Sequence, residues 1–525
     1  NQVNKFMKAN RLIGIDVGTT SVKAAILNTH GQVLEQFVEG YQITRTGDHI
    51  VEQNPNDWLR LIQKSLTNFD LDQVVAIGLC SQVNTHVFVD ANGDALCPAI
   101  LWQDRRASDE AAALDAQVTL EQKQAWWGAP MPIDASHAIA RMAWVAKHQP
   151  DIWSKTRWVM LPKDYCMLKL TGKASTDPLS NIGLVDNELN YIPDVLALVP
   201  GAAERMAPLV SITDVAGEIQ QGPLKGTPIV SGTMDAWAGL IGTGGAKKQS
   251  TIYLSGTSEI LGISSTKIIP TPGAIVFPET HGLRVHAAPT QNGGDAKVWF
   301  TQASGITMDE MSAMVSGTTR NAATPLFLPQ LEGERAPLWN SDLRGAFLGV
   351  SRQTRLPDFA RAVYEGVAFA ARHALETLKI SADVDSDLIC CAGGGFRSAT
   401  WNRIRADVLN TPLHILNATE PGVSGAVTLA AIGSGVYSSF EEASDALTQY
   451  RAPLIPDSRQ ADLYEHAFDI YKDAITKILD EHKDWNAFSI GDESRERPII
   501  NHKSHFELGF LKHKKVLRFL KKTEI

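Results

Sequence analysis

Apolar and polar positions near the front of the chain alternate in short runs of strand length. Arg11–Ile15 and Val22–Leu27 flank a tight turn, and Gln32–Glu39 follows the turn Asn28-Thr29-His30-Gly31, so the opening reads as a β-meander. The period then changes. Asn56–Asn68 places its apolar residues on one helical face, with Pro55 at the start and Asp57 in the first turn, both helix-initiating signals. Val74–Cys80 is an unbroken apolar run of the kind buried on both faces of a sheet. It leads into Val87–Asp90, the turn Ala91-Asn92-Gly93-Asp94, and a run ending in Ile100-Leu101-Trp102. A meander followed by alternating helices and strands predicts an α/β domain with a mixed sheet.

The pattern then starts again. Gln249–Tyr253 and Ile260–Ser264 flank a second tight turn, followed by the Leu- and Ala-rich helix Leu356–Lys379, a strand over Asp387–Ala392 and a helix over Ala399–Leu409. Gly422–Gly435 is rich in small residues, which predicts a helix packed closely against a sheet. The repetition predicts two domains, 10–248 and 249–482. The remaining residues, 483–525, turn polar and then basic, with Lys503, Lys512, Lys514, Lys515, Arg518, Lys521 and Lys522 against Glu507 and Glu524. Apolar residues among them permit an amphipathic helix, but a loosely packed tail without catalytic importance is the expectation.

Composition narrows the partners. With 525 residues, 44% hydrophobic and 20% charged, the chain can bury two substantial cores. A formal net charge of -9 counts against a general nucleic-acid binder. No uncharged apolar run approaches the roughly 20 residues that span a membrane, and Asn1–Asn10 lacks the apolar core of a signal peptide. The expectation is a cytoplasmic protein with no nucleic-acid or membrane partner. The cysteines Cys80, Cys97, Cys166, Cys390 and Cys391 show no CxxC spacing and no accompanying histidine cluster, so they read as reduced core thiols and not as a zinc site.

The two turns carry the candidate chemistry. Asp16-Val17-Gly18-Thr19-Thr20-Ser21 and Leu254-Ser255-Gly256-Thr257-Ser258 each set glycine beside hydroxyls, so backbone N–H and side-chain O–H groups can both face a phosphate. Either alone is an ordinary hairpin turn; a pair about one domain apart suggests a duplicated nucleotide-binding fold. Asp16 follows an apolar strand and reads as a turn former or as a carboxylate that holds magnesium through water. Ile229–Gly245 predicts a strand, a tight turn and a small-residue helix opened by Asp235, which reads as a helix cap or as a proton acceptor for a substrate hydroxyl. Cys391–Ser398 is a Gly-rich turn between a strand and a helix, suited to close approach of a nucleotide.

Across residues 10 to 480 the chain resembles the FGGY carbohydrate kinases, two-domain sugar and polyol kinases of the actin, hexokinase and Hsp70 ATPase superfamily. The residues that carry the resemblance are IGIDVGTTSVKAAI (13–26), VEQNPNDW (51–58), ILWQDRRA (100–107), LPKDY (161–165) and SGTMDAWAGLIGTG (231–244). They continue with YLSGTSEILG (253–262), LFLPQLEGERAPLW (326–339), RGAFLGV (344–350), AVYEGVAFAAR (362–372) and AGGGFRSATWNRIRADVL (392–409). The resemblance implies two ribonuclease H-like ATPase domains flanking a catalytic cleft, with ATP and Mg2+ as cofactors. It implies Asp235 as general base, Asp16 as the magnesium-associated carboxylate with Asp235 near it through water, and Thr19, Thr20, Gly256 and Thr257 as phosphate contacts. Gly294, Gly394 and Ser398 match nucleotide-side positions, and Trp102 matches an aromatic wall for a small polyol.

Two departures bear on the acceptor. Xylulose kinases carry Gly-Gln-Met-His after the strand matching Val74–Cys80, and glycerol kinases carry Asn-Gln-Arg-Glu; here the segment is Ser81-Gln82-Val83-Asn84-Thr85-His86. The resemblance implies Gln82, Val83, Asn84, Trp102 and Asp235 as substrate contacts; Gln82 is shared with both kinases, whereas Val83 and Asn84 replace the pair that touches the substrate in each. Arg141 replaces the usual lysine in His137–His148. His86 and His137 read as ordinary histidines or as replacements for the lost polar contact. The expectation is a kinase of a small sugar or polyol, most of all a ketopentose such as xylulose, with ribulose, erythritol or another polyol as alternatives. A non-catalytic sugar-sensing paralogue is the rival from another class, and a homodimer is a further possible partner.

Overall fold

The computed structural model describes residues 10–481 other than 48, 129–130, 341–342 and 418–419. The basic tail expected at 483–525 lies outside the described residues. The first six-stranded sheet is built from β1 (Arg11–Val17), β2 (Ser21–Asn28), β3 (Val33–Gly40), β4 (Val74–Ser81), β5 (Val215–Glu218) and β6 (Pro228–Met234), in the order β5-β6-β4-β1-β2-β3. β1, β2 and β3 form the predicted antiparallel meander, while β4 lies parallel to β1 and β6 parallel to β4. The second sheet comprises β7 (Thr251–Ser255), β8 (Glu259–Ser264), β9 (Ile275–Val276), β10 (Val285–Pro289), β11 (Ile389–Ala392) and β12 (Leu413–Ile415), ordered β9-β10-β8-β7-β11-β12. The series β3-β2-β1-β4-β6 and β10-β8-β7-β11-β12 share one topology: a meander, then two strands parallel to the first. This is the duplicated ATPase architecture, and both lobes belong to one compact unit ending at Asp480.

In the first lobe, helix α1 (Pro55–Asn68) is capped by the Asn54 side chain, which accepts from the Asn56 N–H, and buries Trp58, Leu59, Leu61 and Ile62. Helix α2 (Pro162–Thr171) and helix α3 (Asp235–Leu240) follow, the latter continuing as a single π-turn over Ile241–Gly245. In the second lobe are α4 (Gly294–Ser304), α5 (Leu356–Ala382), α6 (Ala399–Leu409) and α7 (Pro421–Gly433). Helix α5 runs past the expected Lys379 to a left-handed Asp383, since its last turn still buries Leu378, Ser381 and Ala382 against the second sheet.

The small-residue helix α7 packs closely against a sheet as expected, but that sheet belongs to the other lobe. A Cβ on Gly14 of β1 would stand 2.4 Å from the Val423 carbonyl oxygen, and one on Gly78 of β4 would stand 1.9 Å from that of Ala426. On its other side α7 crosses α3, where a Cβ on Gly425 would lie 1.8 Å from the Ala238 carbonyl oxygen. Only glycine permits such backbone contact.

Candidate active site at the carboxyl ends of the strands

Register brings the catalytic candidates together. Asp16 of β1 pairs with Cys80 of β4, and Cys80 pairs with Thr233 of β6, so the carboxyl ends of three parallel strands form one edge. Such edges are where α/β sheets bind ligands. The tight turn expected between strand and helix in Ile229–Gly245 is instead an irregularity within β6. Gly232 has φ +66° there, with room for no side chain because a Cβ would meet the Leu79 carbonyl oxygen at 1.6 Å. The chain passes from Met234 straight into α3, so Asp235 is the first helical residue and not the cap. Its Oδ1 accepts from the Ala236 N–H at 2.7 Å. Burial, then the charge of Asp16, push the Asp235 carboxyl up to about 7. Burial likewise raises Asp16 to about 6, and its Oδ1 has no hydrogen-bond partner.

A closed polar network holds the first hairpin. The Gln53 Nε2 donates to the Thr19 carbonyl at 2.5 Å, Gln82 Nε2 donates to Gln53 Oε1 at 3.0 Å and to the Gly18 carbonyl at 3.3 Å, and Thr85 donates to Gln82 Oε1 at 3.1 Å. The Tyr41 hydroxyl also donates to the Gly18 carbonyl. Gln82 is therefore buried with both ends of its amide engaged, as a support of the hairpin. Val83 packs against the cluster containing Met234 and Trp237, next to Asp235. Asn84 is half-buried at φ +53°, its amide donating to Ser136 Oγ at 3.3 Å. Trp102 is 45% exposed, and its indole N–H donates to Thr19 Oγ1 at 3.1 Å, joining the Trp102 segment to the first hairpin. The hairpin tip itself, Gly18 to Thr20, is accessible.

Below the strand ends lies a fully buried ion cluster. Lys163 Nζ reaches Asp164 Oδ1 at 2.6 Å and Asp177 Oδ1 at 2.8 Å, and Thr233 donates to Asp177 Oδ2 at 3.0 Å. The Lys163 N–H also donates to Ser81 Oγ at 3.2 Å. The Leu161–Tyr165 segment thus pins the ends of β4 and β6, from which Gln82 and Asp235 emerge.

The second hairpin is held differently. Its exposed tip, Gly256-Thr257, stands over a buried pair in which Arg405 contacts Glu259 Oε1 and Oε2 at 3.2 Å and donates to Ser255 Oγ at 2.5 Å. The guanidinium lies 3.5 Å from the Trp401 ring centroid. Gly294 opens α4 with its N–H donating to the Gly256 carbonyl at 3.0 Å. The turn after β11 fits against Ser255, where a Cβ on Gly393 or Gly395 would clash, whereas one on Gly394 would meet nothing within 4 Å. Ser398 caps α6 by accepting from the Trp401 N–H at 3.2 Å. Gly256, Thr257, Gly294, Gly394 and Ser398 thus lie around one end of the second sheet.

Sequence reasoning missed Lys23, which pairs with Glu420 at 2.7 Å and acts on Asp16 through its charge, and it missed the Glu259–Arg405 pair. Lys23 faces Asp16 directly across the hairpin register, a signal available once the turn is placed.

Two duplicated α/β lobes, each presenting a hydroxyl- and glycine-rich hairpin, define a phosphotransferase-type ATPase fold. The profile of the FGGY family of carbohydrate kinases, N-terminal domain, matches residues 11–242, and that of its C-terminal domain matches residues 252–434. The chain belongs to the FGGY family of carbohydrate kinases. It is 27% identical over 495 residues to a xylulose kinase of Bacillus subtilis, covering 89% of this chain and 97% of the relative. A gluconokinase of the same organism is 26% identical over 486 residues, covering 85% and 92%. Among solved structures, a kinase from Brucella ovis described as a xyloylose kinase superposes with a TM-score of 0.81 at 25% identity, over 90% of this chain and all of that one.

Proposed function

We propose that this kinase transfers the γ-phosphoryl group of ATP to a hydroxyl of a small sugar or polyol, with a ketopentose such as xylulose as the leading substrate. The observation that carries the reading is Asp235, held at the strand-end edge beside Asp16 with its carboxyl raised to about 7. A carboxylate of that basicity is matched to taking a proton near neutral pH. The ionised Asp235 accepts the proton of the attacking hydroxyl as the new O–P bond forms and ADP leaves, then returns that proton to water. The rest of the rate comes from alignment and charge neutralisation, as phosphoryl transfer requires.

The residues present fit magnesium. Asp16 offers an unpartnered buried oxygen, and Asp235 bears a like charge that a cation would relieve. No group of three or more His, Cys, Asp or Glu residues poised for a metal occurs among the described residues, in keeping with an ion that retains water and phosphate oxygens. Asp16 would hold the ion, with Asp235 facing it through water, and the ion would neutralise charge on the triphosphate. Thr19, Thr20, Gly256 and Thr257 would contact phosphates, and Gly294, Gly394 and Ser398 would surround the nucleoside. Trp102, Val83 and Asn84 would line the sugar side, with Gln82 acting through the hairpin it holds.

A coupled ADP-release panel over ketopentoses, pentitols, tetritols, gluconate and glycerol tests the reading. We expect strongest turnover with a ketopentose. Activity on glycerol alone would overturn the assignment of Val83 and Asn84, and sugar binding without ADP release would point to a sensor.

A further inference from the structure

Arg141 has no exposed surface, and among the described residues its charge meets no carboxylate directly: Asp104 and Asp134 act on it only through space. Its fork is filled by backbone instead. Nε donates to the Ala135 carbonyl at 3.2 Å, one terminal nitrogen donates to the carbonyls of Asn84 and of Ile100, the latter at 3.0 Å, and the other donates to the Leu101 carbonyl. It also contacts His86 Nδ1 at 3.0 Å. The nitrogen that meets Asn84, Ile100 and His86 has two N–H groups for these three acceptor positions, so they are shared. Since an arginine cannot accept, the histidine contact is favourable only with Nδ1 unprotonated, in line with the lowering of His86 basicity by burial, then by Arg141. One guanidinium thereby joins three segments: Gln82–His86, Ala99–Trp102 and Ala135–His137. Two of them carry the residues placed on the sugar side, Asn84 and Trp102. Asn84 is tied twice, through its carbonyl to Arg141 and through its amide to Ser136, which holds it in a left-handed conformation.

We infer that Arg141 is the positioning residue of the sugar pocket: it sets the spacing of the Asn84 and Trp102 segments and so governs affinity for the acceptor without touching it. The inference rests on the kinase reading above. A lysine carries the same charge but is a point donor on a flexible stem, and cannot span carbonyls from three segments as a planar fork does. Arg141→Lys separates charge from shape, and Arg141→Gln removes both. Arg361, buried in the second lobe and bonded to Glu365, Tyr464 and the Thr318 carbonyl, supplies a control of similar structural cost as Arg361→Lys.

Steady-state kinetics with the best acceptor of the panel should show KM for the sugar rising about tenfold in Arg141→Lys and further in Arg141→Gln, as the segments that carry Asn84 and Trp102 lose their common support and shift slightly. KM for ATP and kcat of Arg141→Lys should stay within about threefold of wild type, and Arg361→Lys should lower Tm and leave the sugar KM unchanged. Parallel rises in both KM values, or a fall in Tm with an unchanged sugar KM, would overturn the inference. Hydrogen exchange on the unaltered enzyme gives a second measurement that does not depend on a variant folding: sugar should slow exchange in all three segments together. Slowing confined to one of them would also overturn it. A wild-type enzyme inactive on every acceptor would sink the kinase reading itself, an outcome distinct from an active enzyme whose sugar KM ignores Arg141.

Discussion

In the first lobe the hairpin is braced by neutral amides and hydroxyls from Gln53, Gln82, Thr85 and Tyr41, and its carboxylate Asp16 keeps an unpartnered oxygen. In the second lobe the matching hairpin is braced by an ion pair, and its carboxylate Glu259 is consumed by Arg405 and Ser255. The backbones are alike and the electrostatics are opposite. One hairpin leaves an unpartnered carboxylate oxygen, whose charge helps to raise the basicity of Asp235. The other neutralises its anion internally, so little opposing charge lies under its exposed tip, where phosphate contact is proposed. A duplicated fold has been specialised by where each copy spends its buried carboxylate.

The largest effect should come from the free anions. Asp235→Asn is expected to lower kcat by roughly two to four orders of magnitude, the range for a lost general base, with the fold retained; turnover near wild type in single-turnover assays would remove Asp235 from the chemistry. Next, Glu259→Gln leaves Arg405 charged and unpaired in the second lobe. It should cost about 3–5 kcal/mol of stability by denaturant titration, as for other broken buried pairs, and raise KM for ATP more than KM for sugar. If Asp16→Asn were to destabilise as much, the contrast between the hairpins would fail.

The smallest effects are on pH dependence. With Asp235 near 7, kcat/KM should fall about tenfold per unit as pH drops below that value, and Asp16→Asn should move the midpoint to lower pH because the Asp16 charge helps to raise it. Folding stability has the opposite sign. Both carboxyls hold protons more tightly in the folded state, so their contribution is fully present below about pH 4 and is lost as pH rises through about 6 to 7. Tm of Asp235→Asn should therefore exceed that of wild type by more at pH 8 than at pH 5, and equal differences at the two pH values would contradict the assignment.

Much of this arrangement was legible in local pattern. The hairpin turns, the strand Val74–Ser81 and helix Leu356–Ala382 announce themselves by period and punctuation, and their order made the family resemblance visible. The row Asp16–Cys80–Thr233 was not, because it depends on strands 64 and 217 residues from the first being laid down in register. The supports were hidden for the same reason. The resemblance sets Gln82 on the substrate, and nothing local shows that its amide also holds Gln53 and Gly18 while accepting from Thr85, just as Glu259 meets Arg405 across 146 residues. Arg141 stands out in sequence only as a replacement for lysine, since carbonyl groups are present at every position and a side chain that gathers them leaves no pattern.

Helix α7 carries a consequence for how the chain is made. The first lobe's cluster of Leu12, Ala25, Leu27 and Ala76 is completed by Val423, Val427, Ala430 and Ala431 of α7 and by Ala443 and Leu447 beyond it. During synthesis at roughly 5–20 residues per second, the face of that sheet would wait about 10–40 s after the first lobe has emerged before its cover exists. Until residues 421–447 have been made, about four-fifths of the way along the chain, that face of the first sheet has nothing of its own chain to cover it.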